Sequence, residues 1–439
     1  MKEIKIKRGL ELPFGKVCDF KGEKLSREIG FVGDDFTGLK VKFLVNEGDK
    51  VSTGSPIFIN RKDEDVVFVS PVNGVVKNIV RGEKRKFLYL SIEVEDHTSV
   101  EAIDFKDNNL NYKYILLKYG FWPYFRKRPF DKIPSSTSKP VAIFVTAIDT
   151  RGFAPEPNFI IEKEKENFIK GVNVLKEAFG VKTFLCVDKD FNKSMLSEDN
   201  LLEVAVFHGP HPAGLAGTHI DYLRKPTMEE EVWYIDYQAV IDIGYFFNTG
   251  KINPYKYVSI AGYGFQENGI FKILKGSRLD NIQDLSKDYR YISGCYLYGR
   301  KIDENAPFVG FYDNQVSIIK EGGEKRLFGW ISPSRKYFTV LGVALSKFIK
   351  PKKYIFDTSM HGSLRPIIPI SSYNKVTAID TEPLALLRAV LTKDIDRAID
   401  LGILSLGEED FSLYTYVCPS KIDFIKHSRE LLDTIEKEW

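Results

Sequence analysis

Over its first hundred residues the chain alternates short apolar runs with charged and turn-forming clusters, the pattern of a strand-rich unit. Val41-Lys42-Phe43-Leu44-Val45 leads into Asn46-Glu47-Gly48-Asp49-Lys50-Val51, and Thr53-Gly54-Ser55-Pro56-Ile57-Phe58 follows. Val66-Val67-Phe68-Val69 then turns at Ser70-Pro71-Val72-Asn73-Gly74 into Val75-Val76-Lys77. Glycine, proline, asparagine and aspartate at these breaks supply the backbone conformations of tight turns.

The period then lengthens. Residues 108–119 carry Leu110, Tyr114 and Leu117 at helical spacing, and Gly120 is placed to end that helix. A buried-type strand follows at Val141-Ala142-Ile143-Phe144-Val145, then a helix with Ile160, Ile161, Phe168, Ile169, Val172, Leu175 and Phe179, closed by Gly180. Thr183-Phe184-Leu185-Cys186-Val187 and Val204-Ala205-Val206-Phe207 read as further strands, so this stretch predicts a parallel α/β layer. After Pro254, short strands return around Tyr257, Phe271, Tyr291 and Gln315. The last ninety residues favour helices, with Thr381 as a cap for a segment through Leu391 and a closing helix over residues 428–438 on Leu431, Leu432 and Ile435.

Composition narrows the class. The 439 residues are 43% hydrophobic and 28% charged, which suits several globular domains rather than disorder. A net charge of +3 is too small to point to nucleic acid. Cys18, Cys186, Cys295 and Cys418 are too dispersed for a disulfide scaffold. No apolar run is long enough to span a bilayer, and the Met1-Lys2-Glu3-Ile4 start lacks a signal-peptide h-region.

Three constellations invite chemistry. His208, His211 and His219 fall within twelve residues, but among prolines and glycines and with only Asp221 nearby, so a structural turn is favoured over a metal site. Residues 121–139 interleave five aromatics with Arg126, Lys127, Arg128, Lys132 and Lys139 against Asp131 alone, a mixture suited to a ligand, a headgroup or a partner surface. Lys62 and Asp63 lie where a carrier hairpin would bear its modified lysine, without the usual flanking residues. GxxxxGK[ST], GxGxxG and GxSxG are absent, and Cys418 by itself cannot hold an iron–sulfur cluster.

The order EGDxVxxGxPIF then SPxxGxV over residues 38–80 resembles the biotinyl/lipoyl hammerhead. The whole chain resembles the A-subunit family of the sodium-translocating NADH:quinone reductase. The likeness is carried by residues 7–13, by Gly33-Asp34-Asp35-Phe36-Thr37-Gly38-Leu39-Lys40, by Arg128-Pro129-Phe130 and by residues 144–150. Residues 209–219, Phe328-Gly329-Trp330, Val417-Cys418-Pro419 and residues 432–438 extend it to the end. The resemblance implies an α/β multidomain protein: an N-terminal β segment (1–28), a hammerhead domain (29–100), a degenerate Rossmann-like domain (101–255), a β-grasp domain of SLBB-like type (256–335) and a C-terminal helical domain (336–439). It implies a peripheral subunit on the cytoplasmic side of the bacterial inner membrane, with five partner subunits.

Distant flavin-binding relatives carry a GxGGAGFPT loop where this chain has Gly120-Phe121-Trp122-Pro123-Tyr124-Phe125, so bulky side chains are expected to fill the phosphate cradle. No cofactor is then expected on this chain; FAD, FMN, riboflavin and iron–sulfur clusters are expected on its partners. Quinone interaction in the family maps to Val32, Asp34, Asp35, Phe36, Thr37 and Leu39 and to Arg128, Phe130, Lys132 and Lys139, which equally suit contact with a membrane partner. Pro123, Asp221 and Asp313 depart from the family pattern, which weakens a shared histidine site. The competing readings are a stand-alone FMN-dependent NADH oxidoreductase and a biotin- or lipoate-type carrier.

Overall fold

The computed structural model describes residues 2–98, 102–103, 111–262, 267–322, 338, 354, 356–360 and 362–438. The motif at residues 328–330 and the boundary expected at 335/336 lie outside the described residues.

The α/β layer is a six-stranded sheet in the order Lys2–Lys5, Leu202–His208, Lys182–Val187, Ala142–Ala147, Val232–Asp236, Arg126–Arg128. Its pairings are parallel except at the Arg126–Arg128 edge. From the central strand Ala142–Ala147 the chain builds outward to one side and then crosses over to place Val232–Asp236 on the other. The strand order therefore reverses between these two, and the carboxyl ends on either side of such a switch leave a crevice. The helix expected around residues 160–179 is broken into Pro157–Lys163 and Lys165–Phe179, and Gly180 ends it at φ 63°.

Helix Lys165–Phe179 crosses helix Tyr237–Thr249 so closely that side chains are excluded. A Cβ on Gly171 would lie 2.0 Å from Val240 O, and one on Gly244 would lie 1.7 Å from Asn167 O. Gly244→Ala must push the helices apart, and a loss of about 1–3 kcal/mol is expected by urea unfolding, the usual range for overpacking.

The N-terminal β unit consists of a four-stranded sheet (Glu28–Val32, Phe87–Asp96, Asn73–Arg81, Lys50–Val51) and a three-stranded one (Val41–Phe43, Pro56–Asn60, Asp63–Val69). Phe58 and Phe68 stack at 4.4 Å between them, and Phe36 meets Phe68 edge-on at 4.9 Å. The tip of hairpin 56–69 is not free. Asp63 accepts hydrogen bonds from Ser135 Oγ (2.9 Å), Ser136 N (2.7 Å) and Ser136 Oγ (2.7 Å) of the α/β unit, and these hold its carboxyl below the ordinary range despite burial. Lys62 beside it is exposed.

The N-terminal segment does not stand apart. Lys2–Lys5 completes the α/β sheet, and Phe20–Lys24 pairs in parallel with Gly269–Leu274 at the edge of a third sheet. That sheet also contains Tyr255–Gly262, Tyr289–Ser293, Arg300–Lys301 and Gln315–Lys320, matching the short strands expected after Pro254. Each N-terminal strand covers an edge that would otherwise expose unpaired backbone groups.

At the C-terminal end Glu382, not Thr381, occupies the N-cap of helix Pro383–Thr392, because Pro383 sets the first helical turn. The Thr381 hydroxyl instead donates to Leu401 O at 2.8 Å. The closing helix is longer than its periodicity shows, Phe424–Glu438, and buries Phe424, Leu431, Leu432 and Ile435. Cys418 is buried here, and its Sγ accepts a hydrogen bond from Tyr373 Oη at 3.2 Å.

Candidate functional site

A cavity of about 380 Å³ opens at the switch point, and residues from all the folded units line it. The α/β sheet contributes Thr146, Ile148, Asp149 and Asp236 from the carboxyl ends of its central strands. The N-terminal β unit gives Phe31, Asp34, Asp35, Thr37 and Phe68; the third sheet and its loops give Lys256, Lys275, Arg300, Phe311, Asp313 and Asn314; the C-terminal helices give Glu409 and Asp410. One wall is aromatic, with Tyr124 and Phe311 stacked at 4.9 Å and 21°.

Nine carboxylates and six basic groups line the cavity, and each basic group already has an internal partner. Arg126 pairs with Asp131 at 2.7 Å, and Arg128 pairs with Asp131 and lies 3.6 Å from Asp410. Arg151 is held between Asp149 (2.9 Å) and Glu409 (2.5 Å), Arg300 meets Asp35 at 3.3 Å, and Lys275 meets Asp242 at 2.6 Å. Lys256 Nζ donates to Phe311 O at 2.9 Å, and burial lowers its pKa. Even the N-terminus of helix Tyr237–Thr249, a natural anion seat, is capped by Asp236, whose Oδ1 accepts from Gln238 N at 2.8 Å. An incoming phosphate would meet excess negative charge and no unengaged cation among the described lining residues.

The aromatic segment departs from expectation. Trp122 and Phe125 do not fill the cavity; they turn away into the core against Phe179 and Trp233. The indole N–H donates to Pro134 O at 2.9 Å, so the ring is buried without an orphaned donor. Gly120, Phe121 and Tyr124 remain on the lining, and the space stays open.

Two family models match the chain: the NqrA N-terminal barrel-sandwich hybrid domain over residues 4–95 and the NqrA second alpha/beta domain over residues 108–252. The A subunit of the Na(+)-translocating NADH-quinone reductase of Rhodopirellula baltica is 36% identical over 450 residues, covering 99% of this chain and 98% of that protein. The corresponding proteins of Neisseria meningitidis serogroup B and Vibrio atlanticus, at 35% and 36% identity, each match 99% of this chain and 100% of their own length. The chain belongs to this NqrA family. It is thus one component of a translocase, and among the described residues no helix is long and apolar enough to cross a membrane.

In this member of the NqrA family the residues expected from the two family segments separate into groups. Asp34, Asp35, Thr37 and Arg128 meet on the cavity lining. Asp34 also pairs with Lys86 at 2.6 Å, and Asp35 accepts from Phe311 N at 2.9 Å. Phe36 and Leu39 pack in or against the main core, Val32 against Phe308, and Phe130 into the C-terminal helical core. Lys132 reaches Asp433 (2.9 Å) and Glu436 on the closing helix, while Lys139 is exposed elsewhere. The sequence reading missed Asp236 and Asn314, although an acidic residue ending an apolar strand was a usable signal for the first.

The three histidines have separate roles. His208 lies 3.3 Å from Glu3, His211 Nδ1 is 3.1 Å from Thr150 Oγ1, and His219 Nε2 is 2.9 Å from Ala213 O. Among the described residues no group of three or more His, Cys, Asp or Glu is arranged to hold a metal ion. Asp221, the one carboxylate near enough in sequence to join them, is paired with Lys225 at 2.9 Å.

Burial raises the carboxyls of Asp35, Asp236 and Asp410 to about 6 and lowers His211 and His219 to about 4. The two sets oppose each other. The raised carboxyls favour the folded state at low pH and lose that contribution as pH rises through about 6, whereas the histidines cost stability as pH falls from about 6.5 to about 4. Asp236→Asn keeps an acceptor at the N-cap but removes one of the raised carboxyls. Relative to the parent, the variant is expected to fare best at pH 7.5 and progressively worse as pH falls through 6. Urea midpoints at pH 7.5 and 5 check this; an unchanged difference between the two would refute it.

Proposed function

We propose that this chain acts as a cofactor-free peripheral subunit on the cytoplasmic side of the bacterial inner membrane, docking on the membrane subunits and shaping quinone access. NADH oxidation, the flavins and the iron–sulfur clusters belong to its partners in this reading. The observation that carries it is the cavity at the switch point. It has an aromatic wall suited to an uncharged ring, and its arginines are committed to internal carboxylates. Asp34, Asp35, Thr37 and Arg128, from two segments far apart in sequence, converge on its lining; of these the Thr37 hydroxyl is the donor for a quinone carbonyl, and Arg128, already paired with Asp131, adds positive charge behind it.

The test uses the intact complex and a photoreactive short-chain quinone. Crosslinks to peptides covering residues 32–39 or 126–139 are expected. Labelling confined to the membrane subunits would remove the quinone role, and full activity of a complex assembled without this chain would remove the whole reading. The competing oxidoreductase reading requires NADH oxidation by the purified chain with stoichiometric FMN. The carrier reading requires a modified Lys62, detectable by intact mass.

A further inference from the structure

Of the six basic groups on the cavity lining, Arg126, Arg128, Arg151, Arg300 and Lys275 are held by carboxylates. Lys256 is the exception. Among the described residues no carboxylate pairs with it, and its Nζ makes a single hydrogen bond, to Phe311 O at 2.9 Å. The carboxylates near it are occupied by others. Asp236 accepts from Gln238 N and Asn314 Nδ2, Asp242 from Lys275 and Asn253 Nδ2, and Asp313 from the Ser293 hydroxyl. An ammonium has three N–H donors, so two remain unused on a half-buried side chain that lines the cavity.

The neighbouring lysine shows the contrast. Lys275 lies 5.7 Å from the Tyr124 ring centroid, but its Nζ is bonded to Asp242 and to Asn253 O, both at 2.6 Å. Lys256 is tied instead to the backbone of Phe311, the ring that stacks on Tyr124, so its free donors lie beside the aromatic wall. Its strand, Tyr255–Gly262, is paired on one side with Gly269–Leu274 and on the other with Gln315–Lys320, which presents the side chain from a rigid element. Burial holds its amine below the ordinary lysine range, so it releases a proton more readily than a surface lysine. Polar hydrogens left unbonded here are costly, and the excess of carboxylate disfavours an anion, so a neutral acceptor suits them best.

We infer that Lys256 holds a carbonyl oxygen of a neutral ring bound in this cavity, donating one or both of its free N–H groups while Phe311 O keeps the third. This deepens the quinone reading and rests on it for the same cavity. A quinone ring carries two carbonyl oxygens. The Thr37 hydroxyl, from the N-terminal β unit, answers one, and the Lys256 ammonium, from the third sheet, answers the other. A charge-assisted hydrogen bond of this kind is stronger than one between neutral groups, so Lys256 is the main polar anchor of the ring.

The test is acetylation of the purified full-length chain with acetic anhydride, a small neutral reagent, followed lysine by lysine through peptide mass. Lys256 is expected to be acetylated in the free chain, and excess ubiquinone-1 is expected to slow it at least about fivefold. The exposed Lys62 serves as the control and should react at an unchanged rate. Failure of Lys256 to react in the free chain overturns the inference, as does reaction at the same rate with ubiquinone-1 present. In the intact complex, Lys256→Met should raise KM for ubiquinone-1 about tenfold, the loss of one hydrogen bond to a charged group, and Lys256→Arg should restore most of it. A parent-like KM in Lys256→Met overturns the inference too, and should that variant fold poorly the protection experiment on the parent chain decides alone. Crosslinking of a quinone to residues 32–39 or 126–139 does not depend on this lysine, so the quinone reading can stand where this inference falls.

Discussion

Trp122→Ala is expected to destabilise the chain by about 3–5 kcal/mol, the range for removing a fully buried tryptophan. The ring is wholly buried and meets Trp233 edge-on at 5.2 Å, Phe125 at 5.8 Å and Phe179 at 5.9 Å, so nothing small can collapse into the gap. The carbonyl of Pro134 would also lose its donor. Urea or thermal unfolding measures the loss. Because the ring faces the core, its removal is not expected to enlarge the cavity at the switch point. A variant as stable as the parent that instead took up FMN stoichiometrically would show that the indole was blocking a phosphate seat after all.

Arg128→Ala is expected to cost a similar amount, about 3–5 kcal/mol, by stripping a partner from buried charges. Arg128 is 3% exposed, pairs with Asp131, approaches Asp410, and donates through Nε to Ser405 O at 3.3 Å. Asp131 would keep Arg126 and the Tyr234 hydroxyl, but Asp410 would keep only Gly407 N. The adjoining turn adds to the demand. Phe130 and Asp131 are both held at positive φ, 83° and 52°, a costly conformation for residues with side chains. Arg429 steadies it by donating to Phe130 O at 2.7 Å. Arg128→Lys should recover little, since one ammonium cannot serve carboxylates and a carbonyl on different sides. The readout is the unfolding midpoint together with the alkylation rate of Cys418, buried in the helical domain that Arg128 helps to seat. Parent-like values for both would show that the charge network carries little of this interface.

Much of the architecture is readable from local patterns, and what escapes is mostly long-range. The strands of the first hundred residues and the strand–helix–strand run announce themselves through turn residues and periodicity, and Gly180 ends its helix as its position implies. Strand Val232–Asp236 and helix Tyr237–Thr249 do not stand out because the helix is buried on nearly every side, leaving no polar face to give a 3.6-residue rhythm. These two elements supply Asp236 and one side of the cavity, so the site lies partly in the least legible stretch of the chain. The charge pairs are hidden for another reason. Asp131 lies in the same loop as Arg126 and Arg128 and is visible locally, but Arg151 and Glu409 are 258 residues apart, and Arg128 and Ser405 are 277 apart, so no local window could show those partners.

The latch at Asp63 bears on how this protein can move. The hairpin that bears Asp63 ends against the α/β layer. Here two serines moor it to the neighbouring layer, on a residue whose carboxylate they stabilise. The tip thus acts as a buttress between two layers. Displacing this tip from the α/β layer would require giving up three hydrogen bonds at once, so the two units are fastened at a point far from either chain end.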